Sequence, residues 1–214
     1  MTEEHYCSPR KRGRIGIFLS GRGSNFRAIL DAVDAGRINA EIVLVFSNKK
    51  DAPGLQTAEQ HGLKTLHLNP KSFPSREAYE TALGDEVEAL DIDLICLAGY
   101  MKILGNEFCR RFQNRILNIH PALLPSFPGL HVQKKALDWG VRFSGATVHF
   151  VIPEVDMGPI VLQAVVPVHQ DDTEDTLSER ILKEEHRIYP ETVRLYFEGR
   201  LELRGRRVFI KEID

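Results

Sequence analysis

The fold class of this chain follows from one segment, Arg14-Ile-Gly-Ile-Phe-Leu-Ser-Gly-Arg-Gly-Ser-Asn25. Its first half is an apolar run of strand length, and its second half is rich in Gly and Ser. Apolar residues then recur with the spacing of one helical face, at Phe26, Ile29, Leu30 and Val33. We therefore predict a buried strand over Arg14–Leu19, a tight turn and a helix.

The same alternation continues along the chain. Further strands are predicted at Ala40–Phe46, Lys64–Leu68, Leu94–Gly99 and Arg115–His120. Helices are predicted at Pro53–His61, Ser75–Leu90, Asn106–Gln113 and His131–Trp139. Strands that alternate with helices in this way indicate an α/β protein with a doubly wound, mostly parallel, Rossmann-like sheet.

The last third of the chain has a different pattern. Thr147–Ile152 and Ile160–Val168 have the partial alternation of late, antiparallel strands, and Leu177–Phe197 forms a long helix. A kink is expected at Pro190, and a small hairpin closes the chain. We predict a disordered tail over residues 1–13 and a single domain over residues 14–214.

Composition narrows the class of protein. The 214 residues are 43% apolar and 27% charged, as in an ordinary soluble domain, and the net charge of -2 favours neither nucleic acid nor an anionic membrane as a partner. No apolar run approaches the roughly 18–20 residues that span a bilayer. Cys7, Cys96 and Cys109 show no disulfide or zinc spacing, which favours a reducing, cytoplasmic location.

The glycine turn after the first predicted strand has two interpretations. Gly23, Ser24 and Asn25 precede a helix, where backbone N–H groups and the helix N-terminus can bind a phosphate. The alternative is a tight turn without a ligand. Phe26 occupies the third glycine position of a dinucleotide motif, and Phe46-Ser47-Asn48 offers no carboxylate to a ribose, so a phosphomonoester fits better than NAD.

A second group of polar residues follows the strand that ends at His120. Asn118 is a neutral hydrogen-bond donor beside the titratable His120, and Asp156 in the Met-Gly-Pro turn region is a carboxylate that could orient that imidazole. Such a trio suits acyl transfer to an amine, because it can hold an oxyanion and move a proton. His120 could instead cap the strand, and Asp156 could stabilise its own turn.

The remaining histidines show no pattern typical of metal ligands. His149 lies within a strand pattern, where a structural role is expected, and no His or Cys pair has metal-ligand spacing. We therefore predict no metal.

These residues together resemble the phosphoribosylglycinamide formyltransferases, also called glycinamide ribonucleotide transformylases, which are folate-dependent enzymes of purine synthesis. The resemblance runs from about Arg14 to Phe197. It is carried by Leu19-Ser-Gly-Arg-Gly-Ser-Asn25, Leu97-Ala-Gly-Tyr-Met-Lys-Ile-Leu104, Asn118-Ile-His-Pro-Ala-Leu-Leu-Pro-Ser-Phe-Pro-Gly-Leu-His131, Thr147-Val-His-Phe-Val151, Asp156-Met-Gly-Pro159 and Glu185-His-Arg-Ile-Tyr-Pro190.

The resemblance implies formyl transfer from 10-formyltetrahydrofolate to the amine of glycinamide ribonucleotide, without a metal. It implies that Asn118, His120 and Asp156 are catalytic. The substrate phosphate would be bound in the N-terminal half, and Glu185 would lie near the ribose. The implied phosphate- and ribose-binding residues are Gly23, Ser24, Asn25 and Glu185. The implied folate-binding residues are Arg76, Tyr100, Met101, Lys102, Ile103, Leu104, Val151 and Glu154. A monomer or homodimer that binds only small molecules is expected.

The chain departs from the family pattern at the pocket rim. Ser144-Gly145 stands where His-Gly is frequent, Val132-Gln133 where Thr-His is frequent, and Lys102 where Arg is frequent. Two enzymes with the same core, formyltetrahydrofolate hydrolase and methionyl-tRNA formyltransferase, carry an additional domain, so the length of this chain favours the transferase. A non-catalytic folate- or nucleotide-binding module is a third alternative, because a fold alone does not define a function.

Overall fold

The computed structural model describes residues 12–212. Within this range the strands are β1 (Gly13–Leu19), β2 (Ala40–Ser47), β3 (Thr65–His67), β4 (Leu94–Leu97), β5 (Ile116–His120), β6 (Phe143–Phe150), β7 (Ile160–Pro167), β8 (Leu201–Arg204) and β9 (Arg207–Ile210). The α-helices are α1 (Ser24–Asp34), α2 (Pro53–Gln60), α3 (Arg76–Ala89), α4 (Asn106–Arg111), α5 (Val132–Trp139) and α6 (Glu174–Phe197), and Pro70–Ser72 forms a short 3-10 helix.

These strands form one mixed sheet in the order β3-β2-β1-β4-β5-β6-β7-β9-β8. The neighbours from β3 to β5 pair in parallel, whereas β5–β6 and β6–β7 are antiparallel. This arrangement confirms the predicted fold class. The crossover of the chain from β1 to β2 and back across to β4 brings the carboxyl ends of β1, β4 and β5 to one edge of the sheet, where ligands of open α/β sheets bind.

The start of β6 differs from the prediction. The strand begins at Phe143 rather than at the predicted Thr147. The prediction started too late because Ser and Gly, which stand at positions 144 and 145, are typical of loops. Gly145 pairs with Val165, and a side chain there would overlap the carbonyl oxygen of Ala164. The glycine thus permits a close approach of β7 rather than ending the strand.

Apolar side chains cover both faces of the sheet. One face packs against α1, α2 and α6 and includes Phe26 and Tyr189, and the other packs against α3 and α4 and includes Phe18 and Phe112. Helix α6 continues through Pro190 as one element. Among residues 12–212, no helix is long and apolar enough to cross a membrane.

Most of the predicted N-terminal tail lies outside the described residues, and so does Cys7. Of that segment the structure describes Arg12 and Gly13, and Gly13 is already part of β1.

Candidate active site

The antiparallel register of β5 and β6 builds the centre of the site. Asn118 lies directly opposite His149, and His120 lies opposite Thr147. Since side chains alternate across a strand, Asn118 and His120 project from the same face of β5. Opposite residues of an antiparallel pair have neighbouring side chains, so all four belong to one polar cluster.

His120 is almost completely buried and contacts two different partners. Its Nε2 lies 2.9 Å from the carbonyl oxygen of Phe127, and its Nδ1 lies 3.5 Å from Oδ2 of Asp156. A carbonyl oxygen only accepts hydrogen bonds, so Nε2 carries a hydrogen and Nδ1 is the atom that gains or loses a proton. Burial lowers the pKa of His120, and the Phe127 carbonyl and the Asp156 carboxylate, which favour the cation, offset this only in part.

Asp156 approaches His120 from above the face of the sheet. Strand β6 ends at Phe150, opposite Leu117 rather than His120, and the chain folds back over the polar cluster before β7 begins. Asp156 has a φ of 55°, in the left-handed region that Asp and Asn tolerate better than most residues. A loop that returns over the sheet thus brings Asp156 to His120.

Backbone and side-chain contacts hold the Asp156 carboxylate in its charged form. Its Oδ2 accepts a 2.8 Å hydrogen bond from the Gly129 N–H, and its Oδ1 lies 3.7 Å from Nε2 of His149. Burial alone would raise the pKa of Asp156, but the hydrogen bond from Gly129 and the neighbouring His120 imidazole outweigh burial and lower that pKa. Asp156 is therefore an anion at neutral pH.

His149 is a member of this network that sequence reasoning missed. Its Nδ1 lies 2.9 Å from the Phe150 carbonyl oxygen and so donates, which leaves Nε2 as an acceptor for Nδ2 of Asn118 at 3.2 Å. This contact uses one of the two N–H groups of the Asn118 amide and fixes its plane. The signal that identifies His149 is its register opposite Asn118, which a single strand pattern does not reveal.

A cavity of about 430 Å³ opens directly above this cluster. Its lining includes Asn118, His120 and Asp156. It also includes most of the predicted folate-binding residues, namely Tyr100, Met101, Lys102, Ile103, Leu104, Val151 and Glu154. The wall is largely apolar and carries a few polar side chains, as is typical of cavities that bind small organic molecules.

Arg76 lies beside this cavity rather than in its lining. It borders an adjoining groove of about 780 Å³, which shares Ile103, Leu104 and Pro153 with the first cavity. The Arg76 guanidinium donates to the carbonyl oxygen of Ile103 at 2.6 Å and to Glu80 at 2.8 Å. It therefore supports the outer wall of the cavity.

The predicted phosphate-binding residues form a separate cluster at the turn between β1 and α1. Gly23 has a φ of 73°, and Ser24 and Asn25 begin α1. Asn25 donates a 2.6 Å hydrogen bond from Nδ2 to Oε2 of Glu185, which joins this turn to α6. Burial raises the pKa of Glu185, and the hydrogen bond from Asn25 opposes that effect. These four residues are not in the lining of the 430 Å³ cavity.

Within the described residues no group of three or more His, Cys, Asp or Glu side chains is arranged to hold a metal ion. The polar cluster instead combines a primary amide, a buried imidazole and a carboxylate in the wall of a largely apolar cavity. A doubly wound α/β protein with such a site has the groups that an acyl-transfer enzyme needs, namely donors for an oxyanion and side chains that can transfer a proton.

The family is shown by comparison with known proteins. The chain belongs to the formyl transferase family, whose model matches residues 13–193. It is 44% identical to phosphoribosylglycinamide formyltransferase of Escherichia coli over 88% of this chain and 89% of that protein. It is 47% identical to the trifunctional purine biosynthetic protein adenosine-3 of Drosophila melanogaster over 89% of this chain, but spans only 14% of that protein.

Solved structures agree with this assignment. Glycinamide ribonucleotide transformylase 1 from Symbiobacterium toebii superposes with a TM-score of 0.93 at 50% identity, over 98% of this chain and 99% of that one. A formyltetrahydrofolate deformylase from Pseudomonas syringae superposes with a TM-score of 0.86 at 26% identity, over 94% of this chain and 66% of that one. The fold is therefore shared by transferases and a deformylase.

Proposed function

We propose that the chain transfers the formyl group of 10-formyltetrahydrofolate to the amine of glycinamide ribonucleotide, in purine biosynthesis. The observation that carries the proposal is the convergence of Asn118, His120 and Asp156 in the lining of the 430 Å³ cavity. The similarity to named formyltransferases over nearly the whole chain supports the same reaction.

The apolar part of the cavity suits the pterin ring of the folate. Leu97, Leu104 and Val151 offer apolar contacts to the faces of a flat ring, and the backbone between Tyr100 and Leu104 can form hydrogen bonds with its polar edge. Exposed Met101 and Ile103 lie at the cavity mouth, where they would lose solvent contact on ligand binding. We place the folate here, in contact with the catalytic trio.

The phosphate and ribose of the second substrate are assigned to the turn at Gly23, Ser24 and Asn25. The N-terminus of α1 favours an anion there. Among residues 12–212, Asn25 Oδ1 and His186 Nε2 are buried side-chain atoms without a hydrogen-bond partner. A ribose hydroxyl would satisfy Asn25 Oδ1, and Glu185 lies beside it.

The proposed chemistry begins when the substrate amine attacks the formyl carbon. One N–H of Asn118 is engaged by His149, so the other can donate to the developing oxyanion. In the structure the Nε2–H of His120 donates to the Phe127 carbonyl oxygen. In the reaction the formyl oxygen would replace that carbonyl oxygen as the acceptor. Both donors strengthen as negative charge develops, which lowers the barrier selectively.

Proton transfer is assigned to the His120–Asp156 pair. Since the pKa of His120 is lowered, the imidazole is neutral at pH 7, and its Nδ1 takes up, through a water molecule, the proton that the amine loses as its nitrogen bonds to the formyl carbon. The Asp156 carboxylate then stabilises the imidazolium across 3.5 Å. When the bond between the formyl carbon and the folate nitrogen breaks, Nδ1 returns that proton, through a water molecule beside Asp156, to the departing folate nitrogen.

The direct test is to incubate the protein with glycinamide ribonucleotide and 10-formyltetrahydrofolate and to follow the deformylated folate by absorbance. Turnover that requires the ribonucleotide identifies a transferase. Equal turnover without the ribonucleotide identifies a hydrolase, and binding without turnover identifies a non-catalytic module.

Substitution of the two oxyanion donors tests the assignment of roles. Asn118→Ala and His120→Ala should each lower kcat about 10²–10³-fold, the usual cost of one oxyanion donor, while circular dichroism shows an intact fold. Near-normal turnover by folded His120→Ala refutes its assigned role.

We further propose that the enzyme is cytoplasmic and acts as a monomer or homodimer. Sedimentation of the purified protein tests the oligomeric state.

A further inference from the structure

The hydroxyl group of Tyr189 is buried between two strands of the sheet. Tyr189 is 0% exposed, and its Oη lies 3.1 Å from the carbonyl oxygen of Leu97 and 3.0 Å from that of Leu117. Leu97 is the last residue of β4 and pairs with Asn118, and Leu117 is the residue before Asn118. The hydroxyl therefore lies beside the peptide that carries Asn118.

A phenol in this environment acts as a fixed donor. Burial raises the pKa of Tyr189 well above its ordinary value, so the hydroxyl keeps its hydrogen at any physiological pH. The buried Cys96 thiol lies beside this hydroxyl. Two further neighbours of the hydroxyl are carbonyl oxygens, which accept and never donate, so the single hydrogen is shared between β4 and β5. This contact sets the position of the Leu117–Asn118 peptide relative to the end of β4.

The same helical face contacts the phosphate turn. Glu185 precedes Tyr189 by four residues, so both side chains leave α6 on one side. Glu185 accepts the 2.6 Å hydrogen bond from Asn25 at the start of α1. One rigid helical turn thus links the predicted phosphate-binding residue to the strand that carries Asn118.

We propose that Tyr189 is a positioning residue. Its hydroxyl holds Asn118 where the side-chain amide can donate to the formyl oxygen, at a fixed distance from the phosphate turn. This inference rests on the proposed function for the role of Asn118. Tyr189 does not line the 430 Å³ cavity, so it acts through Asn118 and touches no substrate.

Replacement of Tyr189 by Phe removes the hydroxyl and keeps the ring. Misplacement of a reacting group by a fraction of an ångström lowers the rate without weakening binding, so we expect kcat to fall about tenfold. KM for both substrates should stay within about twofold, because neither binding surface changes. A loss confined to KM overturns the inference, and so does a kcat within twofold of the wild-type value.

Tyr196→Phe is the matched control. Tyr196 lies on the same helix, is nearly buried, and donates a 3.1 Å hydrogen bond to the carbonyl oxygen of Asp93, at the other end of β4 from the site. Loss of either hydroxyl should lower thermal stability, but only Tyr189→Phe should lower kcat. An equal fall in kcat in both variants identifies a general structural effect and refutes the positioning role.

Two further variants cover the case in which Tyr189→Phe folds poorly. Incorporation of 4-fluorophenylalanine at position 189 fills the space of the oxygen without a donor, and 4-aminophenylalanine restores a donor. The fluoro variant should match the expected tenfold loss, and the amino variant should recover kcat to within about threefold. Equal kcat values in these two variants refute a role for the donor.

A measurement without turnover separates this inference from the proposed function. The side-chain amide resonances of Asn118 should shift in Tyr189→Phe and stay in place in Tyr196→Phe. Unmoved resonances in both variants overturn the inference whatever reaction the protein catalyses. Shifted resonances in a protein that shows no ribonucleotide-dependent transfer leave the inference standing and refute the proposed function.

Discussion

Replacement of Asp156 by Asn removes a buried negative charge and changes the shape of the site very little. Asn tolerates the left-handed backbone at this position, and its side-chain oxygen can still accept from Gly129. The loss is therefore electrostatic. Two opposite unit charges 3.5 Å apart, the separation of His120 Nδ1 and Asp156 Oδ2, attract by about 5 kcal/mol at an effective dielectric constant of about 20.

Water and the remaining amide dipole recover part of that energy when the carboxylate is lost. A net cost of about 3–4 kcal/mol in the transition state corresponds to a fall in kcat of about 10²–10³-fold. The assay is ribonucleotide-dependent loss of the formyl group, with folding checked by thermal unfolding. Asp172→Asn is the control, since Asp172 is a buried carboxylate that forms a paired hydrogen bond with Arg180 and is not in the cavity lining. A folded Asp156→Asn variant within fivefold of wild-type kcat refutes the electrostatic role.

Three other outcomes follow from the described contacts. His149→Phe removes the acceptor that orients the Asn118 amide, so steady-state kinetics should show kcat about tenfold lower with KM for the folate nearly unchanged; an unchanged kcat contradicts this. Gly158→Ala places a methyl group against a backbone carbonyl oxygen, so urea titration should show a free energy of unfolding about 1–3 kcal/mol lower. Gly21→Ala is the control, because the space around Gly21 is open and its free energy of unfolding should change little. The folded-state pKa of His120 lies below its ordinary value of 6.5, so at mildly acidic pH the unfolded chain binds a proton that the folded chain does not bind. The free energy of unfolding should therefore fall as the pH drops below about 6.5, and His120→Asn should show a shallower fall in urea titrations across this range.

The first five strands and the helices between them were predictable because their signals are local. Burial on both faces makes a strand such as β4 almost continuously apolar, and helical periodicity identified α1 from Phe26 to Val33. Ends were less accurate where a residue serves tertiary packing. Gly145 lies inside β6 since β7 approaches its backbone, a contact between segments that are distant in sequence.

The candidate site was predictable as a set of residues but not as a geometry. Asn118 and His120 were identified from their spacing on one strand, and the structure places Asp156 beside His120. His149 was missed because its importance depends on which residue lies opposite it in the sheet. Arg76 was expected in the folate pocket, but its guanidinium supports the pocket wall from the adjoining groove.

The pairing of Asn118 with His149 has a consequence for how such a sequence can change over time. Side chains along β5 alternate between the polar cluster and the apolar core, so a shift by one residue would turn Asn118 and His120 into the core and place apolar side chains in the polar cluster. Insertion or deletion of a single residue within this strand therefore abolishes the core and the chemistry together. Length variation among descendants of this chain should accumulate in surface turns such as the one at Gly205, while the spacing between Ile116 and His120 stays fixed.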